Sequence, residues 1–123
     1  MMRWLAALFL AIPAIVMAEA VPEFYLCSPY VETSEVGDKT DLGWPVFVKL
    51  TGDGTTSLEA FTKANAGKMI RIVVGRREFS RATIWESISS GNLQGVFISQ
   101  DIATDWQQIL AGKLPAAPCG ALN

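Results

Sequence analysis

Apolar residues recur with two different periods along the chain, and the change of period separates predicted strands from predicted helices. Residues 46–51 and 68–74 are rich in β-branched side chains and alternate as strands do. Residues 101–111 instead carry large apolar side chains at helical spacing, so one stripe of this helix is expected to face the core. The residues of that stripe are Ile102, Trp106, Ile109 and Leu110.

Turn and cap residues set the remaining boundaries. Thr56 and Glu59 have the spacing of a capping box, which predicts a helix over residues 56–66 that ends at Gly67. Residues 52–54 (Gly-Asp-Gly) indicate a break before it, and residues 31–45 a long loop or the tips of an irregular hairpin. The other predicted strands are 23–28, 78–83 and 93–99. The order β-β-α-β-β-β-α predicts an α+β domain, with a small, largely antiparallel sheet and two helices on one face.

The first twenty residues have the organisation of a secretory signal peptide. Arg3 precedes an apolar run over residues 4–17, and the small residues Ala18 and Ala20 follow it. Cleavage after either alanine fits this pattern. The alternative is an uncleaved anchor, but the run is shorter than the roughly 20 residues that span a bilayer. We therefore predict a leader at residues 1–20, a single domain at residues 21–123, and a periplasmic or secreted location without a transmembrane segment after cleavage.

The chain has two cysteines, Cys27 and Cys119, near opposite ends of the predicted mature domain. They are too far apart in sequence for a C-x-x-C redox motif, and no histidine is present to complete a metal site. In an oxidising compartment such a pair is typical of one structural disulfide. We expect the bond to tie the segment after the last helix to the first strand.

Composition argues against several classes of function. Ten basic residues against twelve acidic ones give a formal charge of −2, which does not favour nucleic acid as a partner. The absence of histidine from the 123 residues removes the commonest general base and the commonest metal ligand. The serines lack a G-x-S-x-G motif. The sequence thus predicts a non-enzymatic protein with no cofactor and no metal.

The strongest candidate for a contact surface is a group of basic residues around one predicted hairpin. Four arginines fall within eleven residues, and an acidic partner would be attracted to them. Trp85 follows this hairpin, and an exposed tryptophan is a common anchor for a bound peptide. The alternative interpretation is a solvated strand edge that discourages edge pairing. The arginines are Arg71, Arg76, Arg77 and Arg81.

An ordered series of short motifs over residues 46–118 resembles the periplasmic head of SecD and SecDF, membrane proteins that assist protein export. The head belongs to the first large soluble domain of those proteins. Each motif reflects strand, turn or cap chemistry and none is a catalytic signature. The motifs are residues 46–50 (VFVKL), 61–68 (FTKANAGK), 69–75 (MIRIVVG), 79–84 (FSRATI), 88–91 (ISSG), 95–97 (GVF) and 110–118 (LAGKLPAAP).

The resemblance implies a fold, a compartment and the binding of exported polypeptide or an envelope protein. It does not imply proton-driven export, since the proton-conducting membrane carboxylates of the family have no counterpart in these 123 residues. Thr83 also stands where the family has a proline. The alternative to a binding or accessory module is a secreted structural or inhibitor-like protein that keeps only the fold.

Overall fold

The computed structural model describes residues 20–122, so the leader predicted for residues 1–20 lies outside it except for Ala20. A single 3₁₀ turn at Ser28–Tyr30 follows the first strand. The strands and helices, in chain order, are β1 (Glu23–Tyr25), β2 (Val31–Val36), β3 (Trp44–Leu50), α1 (Gly52–Ala64), β4 (Lys68–Val74), β5 (Arg77–Ile84), β6 (Asn92–Phe97), α2 (Gln100–Gly112) and β7 (Gly120–Ala121).

The strands form two sheets. One has four strands in the order β5-β4-β1-β7, with β1 parallel to β4 and the other pairs antiparallel. The second has three antiparallel strands in the order β2-β3-β6. The predicted α+β class and element order are confirmed. The structure has two further strands. Strand β2 forms a hairpin with β3, which was one of the two alternatives for residues 31–45, and β7 lies in the predicted tail.

The core lies between the inner faces of the sheets and the two helices. Phe24 of β1 packs against Phe61 of α1, with ring centroids 5.4 Å apart. Trp106 of α2 meets Phe79 at 5.4 Å and Phe97 at 5.9 Å, so one ring contacts a strand of each sheet. Apolar burial and aromatic packing therefore hold the two sheets together where backbone hydrogen bonds do not.

Helix α1 begins one turn earlier than predicted. Its N-cap is Thr51, whose hydroxyl accepts a hydrogen bond from the Gly54 N–H at 3.2 Å, so the predicted capping box of Thr56 and Glu59 is wrong. The segment expected to break the chain is instead the first helical turn. Gly54 is required there because a Cβ would stand 2.6 Å from the carbonyl oxygen of Tyr30. A packing contact thus places glycine where a turn was expected.

Helix α2 has its N-cap at Ser99, whose hydroxyl accepts from the Ile102 N–H. Asp101 therefore does not cap the helix, but it lies in the first turn, where a negative charge is favoured. The buried residues of α2 are Ala103, Trp106 and Leu110. Ile102 was predicted to be part of the core stripe, and it is instead 38% exposed. In residues 20–122 no helix has both the length and the apolar character needed to cross a membrane.

The predicted disulfide between Cys27 and Cys119 is present, with the two Cα atoms 5.2 Å apart. Cys27 is completely buried, and the chain beside it donates from the Ser28 N–H to the Pro115 carbonyl at 2.8 Å. Strand β7 then pairs with β1. The bond therefore ties the tail after α2 to the start of the domain, as the sequence predicted.

Candidate functional site

Two of the predicted arginines lie together on the outer face of the four-stranded sheet, where acidic residues neutralise them. Arg71 of β4 is ion-paired with Glu23 of β1 and with Glu78 of β5, the latter at 2.8 Å. Arg81 contacts the same Glu78 carboxylate at 2.7 Å. Two cations and two anions thus form a chain across three strands, with no surplus charge to attract an acidic partner.

The pKa shifts of three side chains follow from this chain of ion pairs. Hydrogen bonds from Arg81, assisted by Arg71, lower the pKa of Glu78 below its ordinary value. The same contact with Glu78 raises the pKa of Arg81. Tyr25 donates its hydroxyl to Glu23 at 2.9 Å, and this hydrogen bond to the carboxylate raises the pKa of the phenol. All three shifts favour the protonation states that hold the chain together near neutral pH.

The other two arginines lie at the opposite end of the hairpin. Arg77 pairs with Val74 beside the turn, whereas Ile84 pairs with Lys68 about 23 Å further along β5. The Arg77 guanidinium lies 4.4 Å from the centre of the buried Trp106 ring, so it packs on this ring at the edge of the core. Arg76 is exposed in the turn. The structure therefore separates Arg76 and Arg77 from Trp85 instead of gathering all five residues into one surface.

Trp85 lies at the end of β5 and is 74% exposed. Its ring is close to Gly67, where an added Cβ would stand 3.9 Å from it. Met69 pairs with Thr83 on the same outer face and is 43% exposed. Met69 and Trp85 thus form a small apolar surface beside the ion pairs that Arg71 and Arg81 make with Glu78. This end of the hairpin is our candidate site.

A crevice opens between β5 and β6, on the other face of the β4–β5 hairpin from Met69 and Trp85. Its volume is about 150 Å³. Its walls are mainly apolar, with Ser80, Arg81, Asn92 and Gln94 also present, and they include Ile84, the residue before Trp85. A cavity of about this size accommodates a benzene-sized group, so it has room for one apolar side chain of a ligand. The apolar residues that line it are Ile70, Ile72, Ala82, Ile84, Ile88 and Leu93.

The β6 edge of this crevice directs backbone groups away from its own sheet. Pro45 of β3 pairs with Val96, and because proline has no N–H this must be a non-hydrogen-bonded pair of the antiparallel ladder. Alternation puts Gln94 in the same class, so the backbone groups of Gln94 and Val96 point away from β3. The Gln94 carbonyl accordingly accepts a hydrogen bond from the Ser80 hydroxyl of β5 at 3.1 Å.

The β5 edge is unpaired in the same way. Arg71 donates its N–H to Pro22, and the Val73 carbonyl accepts from Leu26, so these residues of β4 direct their backbone groups toward β1 and its flanks. The intervening residues of β4 therefore bond Ser80 and Ala82 of β5.

Arg81 and Thr83 are left with N–H and C=O groups that point outward. Among the described residues no backbone hydrogen bond joins β5 to β6. Both strands thus offer backbone donors and acceptors at the crevice.

The described part of the chain offers little for metal or acid–base chemistry. No three His, Cys, Asp or Glu side chains in residues 20–122 are grouped so that they could hold a metal ion. The ionisable groups at the candidate site are already paired with one another. What the site presents is apolar surface and backbone groups that are not paired within a sheet.

Comparison with known proteins gives the fold. No family model matches the chain, and no curated protein matches it in sequence. A solved structure of SecDF, a membrane component that enhances protein export, has a TM-score of 0.65 and 18% identity, covering 78% of this chain and 44% of that one. SecDF in its super-membrane-facing form has a TM-score of 0.62 and 19% identity, covering 78% of this chain and 13% of that one.

The predicted resemblance to SecDF is therefore confirmed as a shared fold. The matching region is less than half of either SecDF chain.

Sequence reasoning found Trp85 and the arginines but missed their surroundings. Glu78 lies three residues before Arg81, and strand alternation puts Met69 on the same face as Arg71, so both could have been assigned from the sequence. The crevice could not, because it exists only where two sheets meet and a single sheet was expected. Its walls come from β4, β5, β6 and the loop between β5 and β6.

Proposed function

We propose that this protein is a non-enzymatic binding module of the periplasm that captures extended polypeptide segments, in a protein-export context like that of SecDF. The shared fold supports this assignment, as do the disulfide between Cys27 and Cys119 and the leader predicted at residues 1–20. Intact mass of the protein recovered from the cell envelope tests the location. We expect a mature start at Glu19 or Val21, whereas retention of Met1 would contradict it.

The observation that carries the binding role is the pair of unpaired strand edges beside Trp85. An extended segment that adds to β5 would exchange backbone hydrogen bonds with Arg81 and Thr83. One of its apolar side chains would enter the crevice, and neighbouring ones would cover Met69 and Trp85. Because every polypeptide has the same backbone, such a site binds many sequences and selects for segments with apolar residues at successive positions, since neighbouring side chains of a strand point to opposite faces.

Electrostatics contributes little to this mode of binding. From the sequence, an acidic partner was one of two interpretations of Arg71, Arg76, Arg77 and Arg81, the other being a solvated strand edge. Glu23 and Glu78 compensate the two arginines nearest the crevice. The proposed affinity therefore comes from backbone pairing and apolar contact. It is expected to change little with salt concentration, unlike an ion-pair interface.

A proline substitution distinguishes backbone pairing at the β5 edge from nonspecific apolar binding. The probe is a fluorescently labelled protein kept unfolded by reduction and carboxymethylation, and the readout is anisotropy. Thr83→Pro removes an outward N–H and keeps the ladder bonds to β4, because proline is tolerated on an edge strand. It should weaken capture at least about tenfold, an effect of about 1.4 kcal/mol. Trp85→Ala should weaken it as well.

Two controls make the result interpretable. Thr83→Val keeps the N–H and should bind as the unsubstituted protein does. Arg76→Glu reverses a charge about 23 Å away and should also leave capture unchanged. Equal capture by Thr83→Pro and the unsubstituted protein, with both folded by circular dichroism, would reject edge pairing. No capture by any variant would favour the alternative of a structural or inhibitor-like protein that keeps only the fold.

A further inference from the structure

The outer face of the three-stranded sheet is a second surface, which meets the crevice only at the backbone edge of β6. Helix α2 covers only the inner face, where Trp106 meets Phe97. Strand alternation sends Phe47 and Val96 to the opposite face, where they are 40% and 37% exposed. Ile98, just beyond β6, continues this alternation and is 89% exposed. The segment after β2 packs on part of this face, where Pro45 is buried, but these large apolar side chains remain partly exposed.

The loop between β2 and β3 extends this apolar strip. Gly43 lies against β6, where an added Cβ would stand 3.1 Å from a methyl group of Val96 and 2.4 Å from the Phe97 carbonyl oxygen. Leu42, which is 82% exposed, precedes Gly43 in the chain, and Ile98 is one residue beyond Phe97. We call Leu42, Phe47, Val96 and Ile98 the outer strip. Contiguous exposed apolar surface of this kind marks interaction sites more often than single exposed side chains do.

Carboxylates of β2 and the loop after it lie on one side of the outer strip. Glu35 of β2 is the cross-strand partner of Phe47, so their side chains are neighbours. Asp38 follows Gly37, where an added Cβ would lie 2.4 Å from the Phe47 ring, and Asp41 precedes Leu42.

The only cations on this stretch of β2, β3 and their loop are Lys39 and Lys49. Lys49 lies 3.9 Å from Glu32. Over residues 31–50 the four carboxylates of Glu32, Glu35, Asp38 and Asp41 therefore exceed the two lysines by two charges.

We infer that the outer strip docks a polypeptide segment in which apolar residues alternate with lysine or arginine. Apolar side chains of such a segment would cover Ile98 and Leu42, while its cations would meet Glu35, Asp38 and Asp41. Charge complementarity selects this partner. An anionic membrane surface would be repelled by the same carboxylates, and a second copy of this face would oppose like charges.

A pair of designed peptides tests this inference. The probe is a labelled ten-residue peptide of alternating leucine and lysine, and its control replaces every lysine by glutamate. We expect the lysine peptide to bind with an affinity that falls as salt rises, and the glutamate peptide not to bind. Leu42→Ser with Ile98→Ser should weaken the lysine peptide at least about tenfold, because both side chains are exposed and carry the apolar contact.

Further variants separate this surface from the crevice and from nonspecific attraction. Glu35→Gln with Asp41→Asn should weaken the lysine peptide, mainly through slower association at low salt. Thr83→Pro should leave its binding unchanged, so failure at one surface is distinguishable from failure at the other. Unchanged binding in Leu42→Ser with Ile98→Ser, or equal binding of both peptides, would overturn the inference.

Discussion

The buried hydroxyl of Thr62 accepts a hydrogen bond from the backbone N–H of Ile88 at 2.8 Å. It also donates to the Leu58 carbonyl at 2.9 Å, within its own helix. The loop between β5 and β6 carries Ile88 into the wall of the crevice. One side chain of α1 therefore holds the loop that shapes the proposed binding site.

Replacing Thr62 by valine should destabilise the protein and weaken capture of the unfolded probe together. Valine is nearly the same size but leaves the Ile88 N–H without its partner, at a cost of about 1–3 kcal/mol. Urea unfolding measures the stability change, and anisotropy measures capture. Thr62→Ser keeps the hydroxyl and should retain more capture than Thr62→Val. Full capture by Thr62→Val would show that the loop position does not matter for the site.

Removing the disulfide by Cys27→Ser with Cys119→Ser should lower the free energy of unfolding by about 2–5 kcal/mol. The bond closes a loop with 92 positions of sequence separation, so its loss frees a long stretch of the unfolded chain. Reductant provides the matched control. It should destabilise the unsubstituted protein in urea and leave the double variant unchanged; no effect of reductant on the unsubstituted protein would mean that the bond is absent.

Gly95→Ala should destabilise the contact between the two sheets. An added Cβ would lie 2.9 Å from the Phe79 carbonyl oxygen and 2.9 Å from its ring, and the backbone cannot easily give way. Overpacking of this kind costs about 1–3 kcal/mol. Gly52→Ala is the control, because nothing lies within 4 Å of its added methyl group. Thermal unfolding that is unchanged by Gly95→Ala would contradict the close approach of β5 and β6.

Acid should weaken the contribution of the ion-pair chain around Glu78. Its pKa is lowered in the folded state by hydrogen bonds from Arg81, so folding favours the ionised carboxylate. The resulting stability is present above the ordinary carboxyl pKa and is lost as pH falls through the lowered value. Glu78→Gln should be less stable than the unsubstituted protein near pH 7, by less than about 1 kcal/mol because the pair is partly exposed. The stability difference should shrink toward pH 3, and a constant difference would contradict this assignment.

Local patterns predicted most of the elements because each depends on neighbours in sequence. Strand β4 follows directly from the apolar alternation of residues 68–74, and the hairpin with β5 follows from the turn at Gly75. Helix α1 shows where local sequence patterns fail to predict the structure. Its first turn contains two glycines, which by local rules indicate a break, and only the approach of Gly54 to Tyr30 explains why glycine is needed within this helix.

The candidate site was less predictable because it depends on how the strands are distributed between two sheets. Trp85 could be proposed from its place beyond a hairpin, and it is exposed. The pairing of Arg71 and Arg81 with Glu78 requires the fold of β4 and β5, and the parallel pairing of β1 with β4 adds Glu23. Counting arginines gave a basic patch, whereas strand register gives a neutral chain of ion pairs.

Amide hydrogen exchange at the β5 edge tests the central claim most directly. In the free protein the N–H groups of Arg81 and Thr83 point outward and should exchange quickly, whereas Ala82 bonds to β4 and should be protected. If an extended segment pairs with this edge, saturating unfolded probe should slow exchange at Arg81 and Thr83 at least about tenfold. It should leave Ala82 nearly unchanged. Unaltered exchange at Arg81 and Thr83 with the probe bound would contradict strand addition at this edge.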